Sequence, residues 1–473
     1  MIPVPAGWRL RPAHGVRTLR GGEVLVGGTP LRILTLSPRG AGLVGGWWAG
    51  EPVGDAPDAR RLARRLLDAG LADPDPPPQP DSLEDVTIVV PVYGDPERLA
   101  RCLAPLGDRA AVIVVDDGSA DGAAIAAVAE RFGARYVRHP DNRGAGAARN
   151  TGLEIANTPV VAFLDADCVP PPDFPAGLVE HLADPAVALV APRVVSAQRQ
   201  SAQHLPGAIA AYEHARTAVD MGPRQARVRP YSSVWYVPSA AMVGRRDALG
   251  RGFDERLQLG EDVDLVWRLH DAGWQVLYDP GTEVGHEDRV RLAAWYRRRV
   301  AYNSSAAPLL RRHPERVPVL FLSPAAAAAW GAALAGVPAP LALGAIRALR
   351  LRRTLAGPVP HAASLAARLA AGATVHEGRD LARALIGPWA PFAAAAVWAT
   401  GDRALARRLV SLVAAMAAWD WVVDRPPLDP LSYGALRVAD ETSRGVGIWL
   451  GCLREHDFRA LLARRPPPPG RRS

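Results

Sequence analysis

The chain has 473 residues, more than a single ordinary core organises, so two or three domains are expected. Hydrophobic residues make up 49% and charged residues 22%, a globular balance that excludes a disordered or fibrous chain. The formal charge of +8 comes entirely from arginine, since no lysine occurs. These arginines are scattered and accompany many Ala, Gly and Pro residues. That pattern reflects a GC-rich genome better than a basic patch, and no nucleic-acid partner is expected.

Three cysteines, Cys102, Cys168 and Cys452, have no metal-type spacing and are too few for a disulfide framework. They suit a reducing compartment. The first residues, MIPVPAGWRLRPAHG, lack the apolar run of a secretory signal. The catalytic part is therefore expected in the cytoplasm or on the cytoplasmic side of the cell membrane.

In chain order, Thr18–Arg20 and Glu23–Val26 flank a Gly21-Gly22 hairpin signal, and a strand follows over Leu31–Leu36. Ser37 then Pro38 reads as an N-cap with proline in the first turn. The helix after it puts Leu43, Val44, Trp47 and Trp48 on one side. A second helix carries Leu62, Leu66 and Leu67 inward and Arg60, Arg61, Arg64 and Arg65 outward, ending at Gly70. The stretch ADPDPPPQPDS, residues 72–82, reads as a stiff proline-rich linker. Its boundaries set a first domain at 1–76, a linker at 77–84 and a catalytic domain at 85–310.

Within 85–310 the segments VTIVVPVY, AVIVVDDG and VVAFLDAD are short β-branched runs ending in polar residues. Buried parallel strands look like this when a site lies at their carboxyl ends, so the fold class is α/β. Residues 311–473 form an α-helical, Ala/Pro/Trp-rich, hydrophobic region. Val317–Ile346 and Ala384–Gly401 carry no charge, a length that suggests membrane contact. Eleven of the first thirty are alanine, however, and Gly336, Pro338 and Pro340 interrupt them. Arginines flank both ends, which suits a hairpin or an interfacial pair on the membrane surface; a soluble Ala-rich appendage reads the same way.

Four loops carry chemistry. VPVYGDPERLARCL (90–103) is a strand, loop and helix containing Pro91 and Tyr93. VIVVDDGSADG (112–122) sets Asp116 and Asp117 before a tight turn, which either binds the edge of a base or caps the next helix. In NRGAGAARNTG (142–152), Arg149 near a helix start suits a diphosphate, or is a solvated surface arginine. VVAFLDADC (160–168) puts Asp165 and Asp167 on one face of an extended chain. Such hard oxygen ligands suit Mg2+ or Mn2+ holding a diphosphate. Downstream, Glu261 and Asp262 open a helix, either complementing its dipole or serving as a carboxylate base. His286 follows the next strand and can complete a metal's ligand set.

The order PVYG, DDGS, NxGxxxARNxG, DAD and GED-x-DL resembles the family 2 glycosyltransferases over about residues 85–300. The resemblance implies a GT-A fold (Rossmann-like, with a mixed, mostly parallel sheet) and a nucleotide-sugar donor. It places Pro91, Tyr93 and Asp117 at the nucleoside, Asp165 near the ribose, Asp167 and His286 at the metal, and Asp262 as base. It also implies inversion at the anomeric carbon. The Q-x-x-R-W motif of processive synthases is missing, the nearest run being AAWYRRR (293–299), which argues against long-chain synthesis. A nucleotidylyltransferase would need a Gly-rich phosphate loop after the first strand, and PVYGDPERL is not one.

The N-terminal run EVLVGGTPLRILTLSPRGAGLVGGWWAG with ARRLARRLLDAGLADP resembles the PqqD-like peptide-recognition domains. These are small winged-helix-like α+β units that bind a precursor peptide by strand addition. Fused to a family 2 domain and an apolar tail, it resembles the glycosyltransferases of the mycofactocin system. That implies a peptide-derived redox-cofactor precursor as acceptor and UDP-glucose as donor. The alternative is a cell-envelope glycosyltransferase with a lipid or polysaccharide acceptor.

Overall fold

The structure is a computed structural model that describes residues 2–28, 31–78, 83–197, 207–287, 291–357, 359 and 361–465. Residues 79–82 of the expected linker lie outside them. By contacts the chain divides into two compact units. The first holds residues 2–197 and 217–287; the second holds 207–216 and 291–465.

The first unit begins with strands β1 (Arg9–Pro12), β2 (Arg17–Leu19), β3 (Val24–Gly27) and β4 (Arg32–Thr35). The hairpin forms where expected. β2 pairs antiparallel with β3, with Arg17 facing Val26, Thr18 facing Leu25 and Leu19 facing Val24. β3 pairs in turn with β4.

Ser37 caps the helix Pro38–Trp48, accepting from the Gly40 N–H at 3.2 Å. The helix Pro57–Ala69 ends on Gly70 in the left-handed conformation, as its position after the apolar stripe predicts. Trp8, Leu10, Leu25, Val44, Trp47 and Leu66 share one small core. Two expectations are corrected. Ala72–Asp75, assigned by its prolines to a linker, forms strand β5 and pairs antiparallel with β1. Arg64, assigned by helical spacing to the outer face, is buried: it donates to Asp184 at 2.5 Å and to the Ile2 carbonyl at 2.8 Å. An arginine can be buried when a carboxylate and a carbonyl take up its donors.

The central sheet comprises β6 (Val86–Val92), β7 (Ala111–Asp116), β8 (Arg135–Arg138), β9 (Val160–Leu164), β10 (Cys168–Val169), β11 (Val187–Ser196), β12 (Ala226–Val228), β13 (Ala241–Arg245) and β14 (Gln275–His286). Their order is β10-β14-β11-β13-β9-β6-β7-β8, with β12 also on β14. β6, β7, β8, β9, β11 and β14 run one way, and β10, β12 and β13 run against them. The sheet is thus mixed and mostly parallel, as the α/β reading requires. β6 is buried along its whole length, which explains its near-continuous apolar sequence. Proline is tolerated at position 91 because the pairing with β9 ends at Val89, so no ladder bond is lost on that side.

The second unit is helical, and includes Ala208–Arg216, a helix from within the segment assigned to the catalytic domain. Leu292–Ser304, from the end of that segment, also belongs here. The unit is held partly by buried ion pairs. Arg437 donates to Asp420 at 2.9 Å and to Glu441 at 2.7 Å, and all three are almost fully buried. The uncharged run 317–346 is broken into a short strand and parts of two helices, Pro324–Leu334 and Ala339–Leu355. No single described helix is long and apolar enough to cross a membrane. One pair, Ala362–Ile386 and Ala390–Thr400, passes that test together but is bent by 81°.

Candidate active site

The carboxyl ends of β6, β7 and β9 bring the sequence motifs to one edge of the sheet. Tyr93, just past β6, is 66% exposed and free to stack on a ligand, whereas Pro91 is buried within the strand. Gly94 follows at φ +81° and donates its N–H to Ser119 Oγ at 2.8 Å, joining the first loop to the second.

Asp116 and Asp117 are both buried and both engaged internally. Asp116 accepts from the Ser119 N–H, the Tyr136 hydroxyl and Arg138 Nη1 at 2.7–2.8 Å. Burial alone would raise its pKa, but these donors hold it below the ordinary value. Asp117 accepts from the N–H groups of Arg143 (2.9 Å) and Gly144 (2.7 Å), and its Oδ1 lies 2.7 Å from His139 Nδ1. The other nitrogen of His139 lies 2.9 Å from Thr151 Oγ1. The pair therefore builds the floor of the site and ties it to the Ala145–Ile155 helix.

Arg149, on that helix, is not a solvated arginine. It is 2% exposed and donates to Asp165 at 2.6 Å and to Glu261 at 3.0 Å. Burial disfavours its charge, yet Asp165 and Glu261 outweigh that and hold it protonated. It acts as a clamp between two carboxylate loops, and its Nε has no partner among the described residues. Glu261 is buried and paired with Arg149 at the start of the Glu261–Asp271 helix.

Asp165 and Asp167 follow β9. Burial raises the pKa of Asp165, with Arg149 opposing it and the neighbouring Asp167 adding to it. β10 pairs with the end of β14, setting Cys168 opposite His286. His286 Nε2 thereby comes to 3.6 Å from Asp167 Oδ2. Among the described residues no set of three acidic, histidine or cysteine side chains could hold a metal. One carboxylate and one imidazole converge, though, and a Mg2+-type ion commonly takes one or two protein ligands beside substrate phosphates. The pair fits such an ion.

Asp262 lies at the start of the Glu261–Asp271 helix. Its Oδ1 accepts from the Val263 N–H at 2.7 Å and its Oδ2 from the Ser239 N–H at 3.3 Å. The Ala240 carbonyl in turn accepts the Asp165 N–H at 2.9 Å. Asp165 and Asp262 thus flank the same two residues. The helix dipole suggests a firmly ionised Asp262, but burial, followed by Glu261, pushes its pKa up to about 7. A base of that pKa is matched to neutral pH.

Sequence reasoning passes over the segment YSSVWYVPSA, residues 231–240. It supplies Ser239 and Ala240 and an exposed aromatic, Trp235, whose carbonyl accepts the Trp267 indole N–H at 2.9 Å. Its signal in the sequence is slight, the pair Trp235-Tyr236 between two valines shortly before β13.

A family model described as Glycosyl transferase family 2 matches residues 87–253. The chain is 37% identical over 480 residues to the pre-mycofactocin glycosyltransferase of Mycobacterium tuberculosis, in strains CDC 1551 and H37Rv, covering 97% of this chain and 98% of the relative. It is 25% identical over 260 residues to the succinoglycan biosynthesis protein ExoU of Rhizobium meliloti, covering 49% and 75%. Among solved structures, a mannosyltransferase from Pyrobaculum calidifontis in complex with GDP-Man and Mn2+ aligns with a TM-score of 0.38 and 23% identity, covering 64% of this chain and 83% of that one.

Proposed function

The chain belongs to the family 2 glycosyltransferases as a homologue of the pre-mycofactocin enzymes, and from that premise we propose that it glycosylates a peptide-derived redox-cofactor precursor. The donor in this reading is UDP-glucose, and the anomeric centre inverts. The observation that carries the reading is the convergence of Asp165 and Asp262 on residues 239–240, combined with near full-length similarity to the M. tuberculosis relatives.

Asp262 takes the proton from the acceptor hydroxyl as that oxygen attacks the anomeric carbon. Arg149 and Glu261 hold the two carboxylate loops in register, and Tyr93 and Trp235 offer exposed aromatic faces to the nucleoside and the acceptor. Asp167 and His286 would hold Mg2+ or Mn2+, which supplies charge neutralisation on the departing diphosphate. The N-terminal region, in this proposal, retains precursor-peptide recognition. Incubation of the full chain with a panel of nucleotide sugars and the precursor should add hexose masses to the peptide-derived acceptor. Transfer to lipid or polysaccharide alone would favour the cell-envelope alternative.

We also propose that the helical unit rests on an anionic bilayer surface on the cytoplasmic side. Trp398 is 87%, Leu431 85% and Leu341 74% exposed. No acidic residue occurs between Glu315 and Glu377, against Arg316, Arg347, Arg350, Arg352, Arg353 and Arg368. Exposed aromatics with arginines suit an interfacial position. Flotation with phosphatidylglycerol vesicles should recover the chain, and Trp398→Ser should reduce that recovery; no flotation would contradict this placement.

A further inference from the structure

A cavity of about 440 Å³ lies within the first unit, between its N-terminal strands and the central sheet. Its size falls in the range of small-molecule sites. Trp8, Leu67, Val187 and Leu277 form apolar wall, while Arg224, Arg227 and Arg229 line the polar side. The cavity meets β14 at Gln275 and Leu277. Gln275 and His286, the two ends of this strand, pair with Val187 and Ser196 of β11, nine residues apart and so roughly 30 Å at ~3.3 Å per residue. The cavity is therefore remote from the sugar-transfer site.

Its lining carries three arginines, Arg224, Arg227 and Arg229, against two carboxylates, Asp73 and Asp184. Asp68 serves two arginines: its carboxylate accepts from Arg227 Nη1 at 2.8 Å and its carbonyl from Arg229 Nη1 at 3.1 Å. The same carboxylate oxygen accepts from Gln275 at 2.8 Å. Asp184, which also lines the cavity, is committed to Arg64. Arg227 Nε is buried without a partner among the described residues. Burial, then the nearby Arg227 and Arg32, pushes the Arg229 pKa down to about 10 despite Asp68. An anion in the cavity would relieve this repulsion, and guanidinium groups bind carboxylate and phosphate alike.

We propose that this cavity is a second ligand site, for a small oxyanion, carboxylate or phosphate, carried on an apolar body. The proposal stands independently of the sugar-transfer reading.

Met221 lines the cavity, whereas Met242 is buried in β13 and Met416 lies in the second unit. Methyl NMR of the full chain labelled at methionine therefore reports on the site, with Met221→Leu assigning the signal. Phenyl phosphate and phenylacetate are the probes, and benzyl alcohol supplies the same apolar body without the anion. A saturable shift at Met221 alone is expected from at least one oxyanion, and the probe that binds identifies the source as phosphate or carboxylate. Arg227→Gln should abolish the shift. Ser233→Trp, on an exposed rim position, should block entry without disturbing the buried ion pairs. The proposal is overturned if neither oxyanion gives a saturable shift, if benzyl alcohol matches them, if either variant retains full binding, or if UDP-glucose displaces the probe.

Discussion

Replacing Arg64 by methionine tests whether the N-terminal region is structurally part of the catalytic unit. Arg64 and Asp184 have side chains only 2% exposed and meet at 2.5 Å. Methionine fills much of the same volume but leaves the buried Asp184 carboxylate to the Ala186 N–H, at 3.0 Å, without its guanidinium. Stranding a buried charge in this way costs about 3–5 kcal/mol. With a urea slope of about 3 kcal/mol per M, the upper end of the small-protein range, the unfolding midpoint should fall by roughly 1–2 M. Adding Asp184→Asn removes the stranded charge and keeps the Ala186 bond, so the double variant should recover most of the loss. Urea titrations of the unaltered chain, the single variants Arg64→Met and Asp184→Asn, and the double variant, followed by tryptophan fluorescence, measure this directly. A loss below about 1 kcal/mol for Arg64→Met, or strict additivity in the double variant, would refute the reasoning.

Three further outcomes are expected. Since Asp262 acts when ionised and its pKa is about 7, a pH–rate profile should be level above that value and fall about tenfold per pH unit well below it; a profile flat from pH 5 to 8 would exclude this base. Asp167→Asn and His286→Ala should each weaken the Mn2+ dependence of donor binding, measured by calorimetry, and unchanged dependence would remove the pair from the metal site. A methyl at Gly445 would lie 2.4 Å from the Gly387 carbonyl carbon, so Gly445→Ala should lower the thermal stability of the helical unit by about 1–3 kcal/mol; an unchanged melting curve would contradict that close packing.

The motifs are legible because each lies where a buried strand ends, and strand ends show in the sequence as β-branched runs meeting polar residues. Asp165 and Asp167 can be found that way, and Asp262 by its place at a helix start. Partnerships across the chain cannot: the spacing of Arg149 suits a phosphate ligand as well as the clamp it forms with Asp165 and Glu261. Arg64 is misplaced for a related reason, because helical periodicity cannot show a carboxylate arriving from residue 184. Prolines at 74 and 76–78 mask strand β5, whose pairing with β1 depends on a distant segment. In the tail, Gly336 and Pro338 already mark where the long uncharged run breaks, and the helices Pro324–Leu334 and Ala339–Leu355 stop and start around them.

The most direct test is a paired measurement on Asp262→Asn: donor affinity by calorimetry and hexose transfer by product mass. Transfer should fall by about 10²–10⁴-fold while donor affinity stays within about twofold. Turnover equal to that of the unaltered chain would contradict the assignment of Asp262 as the base.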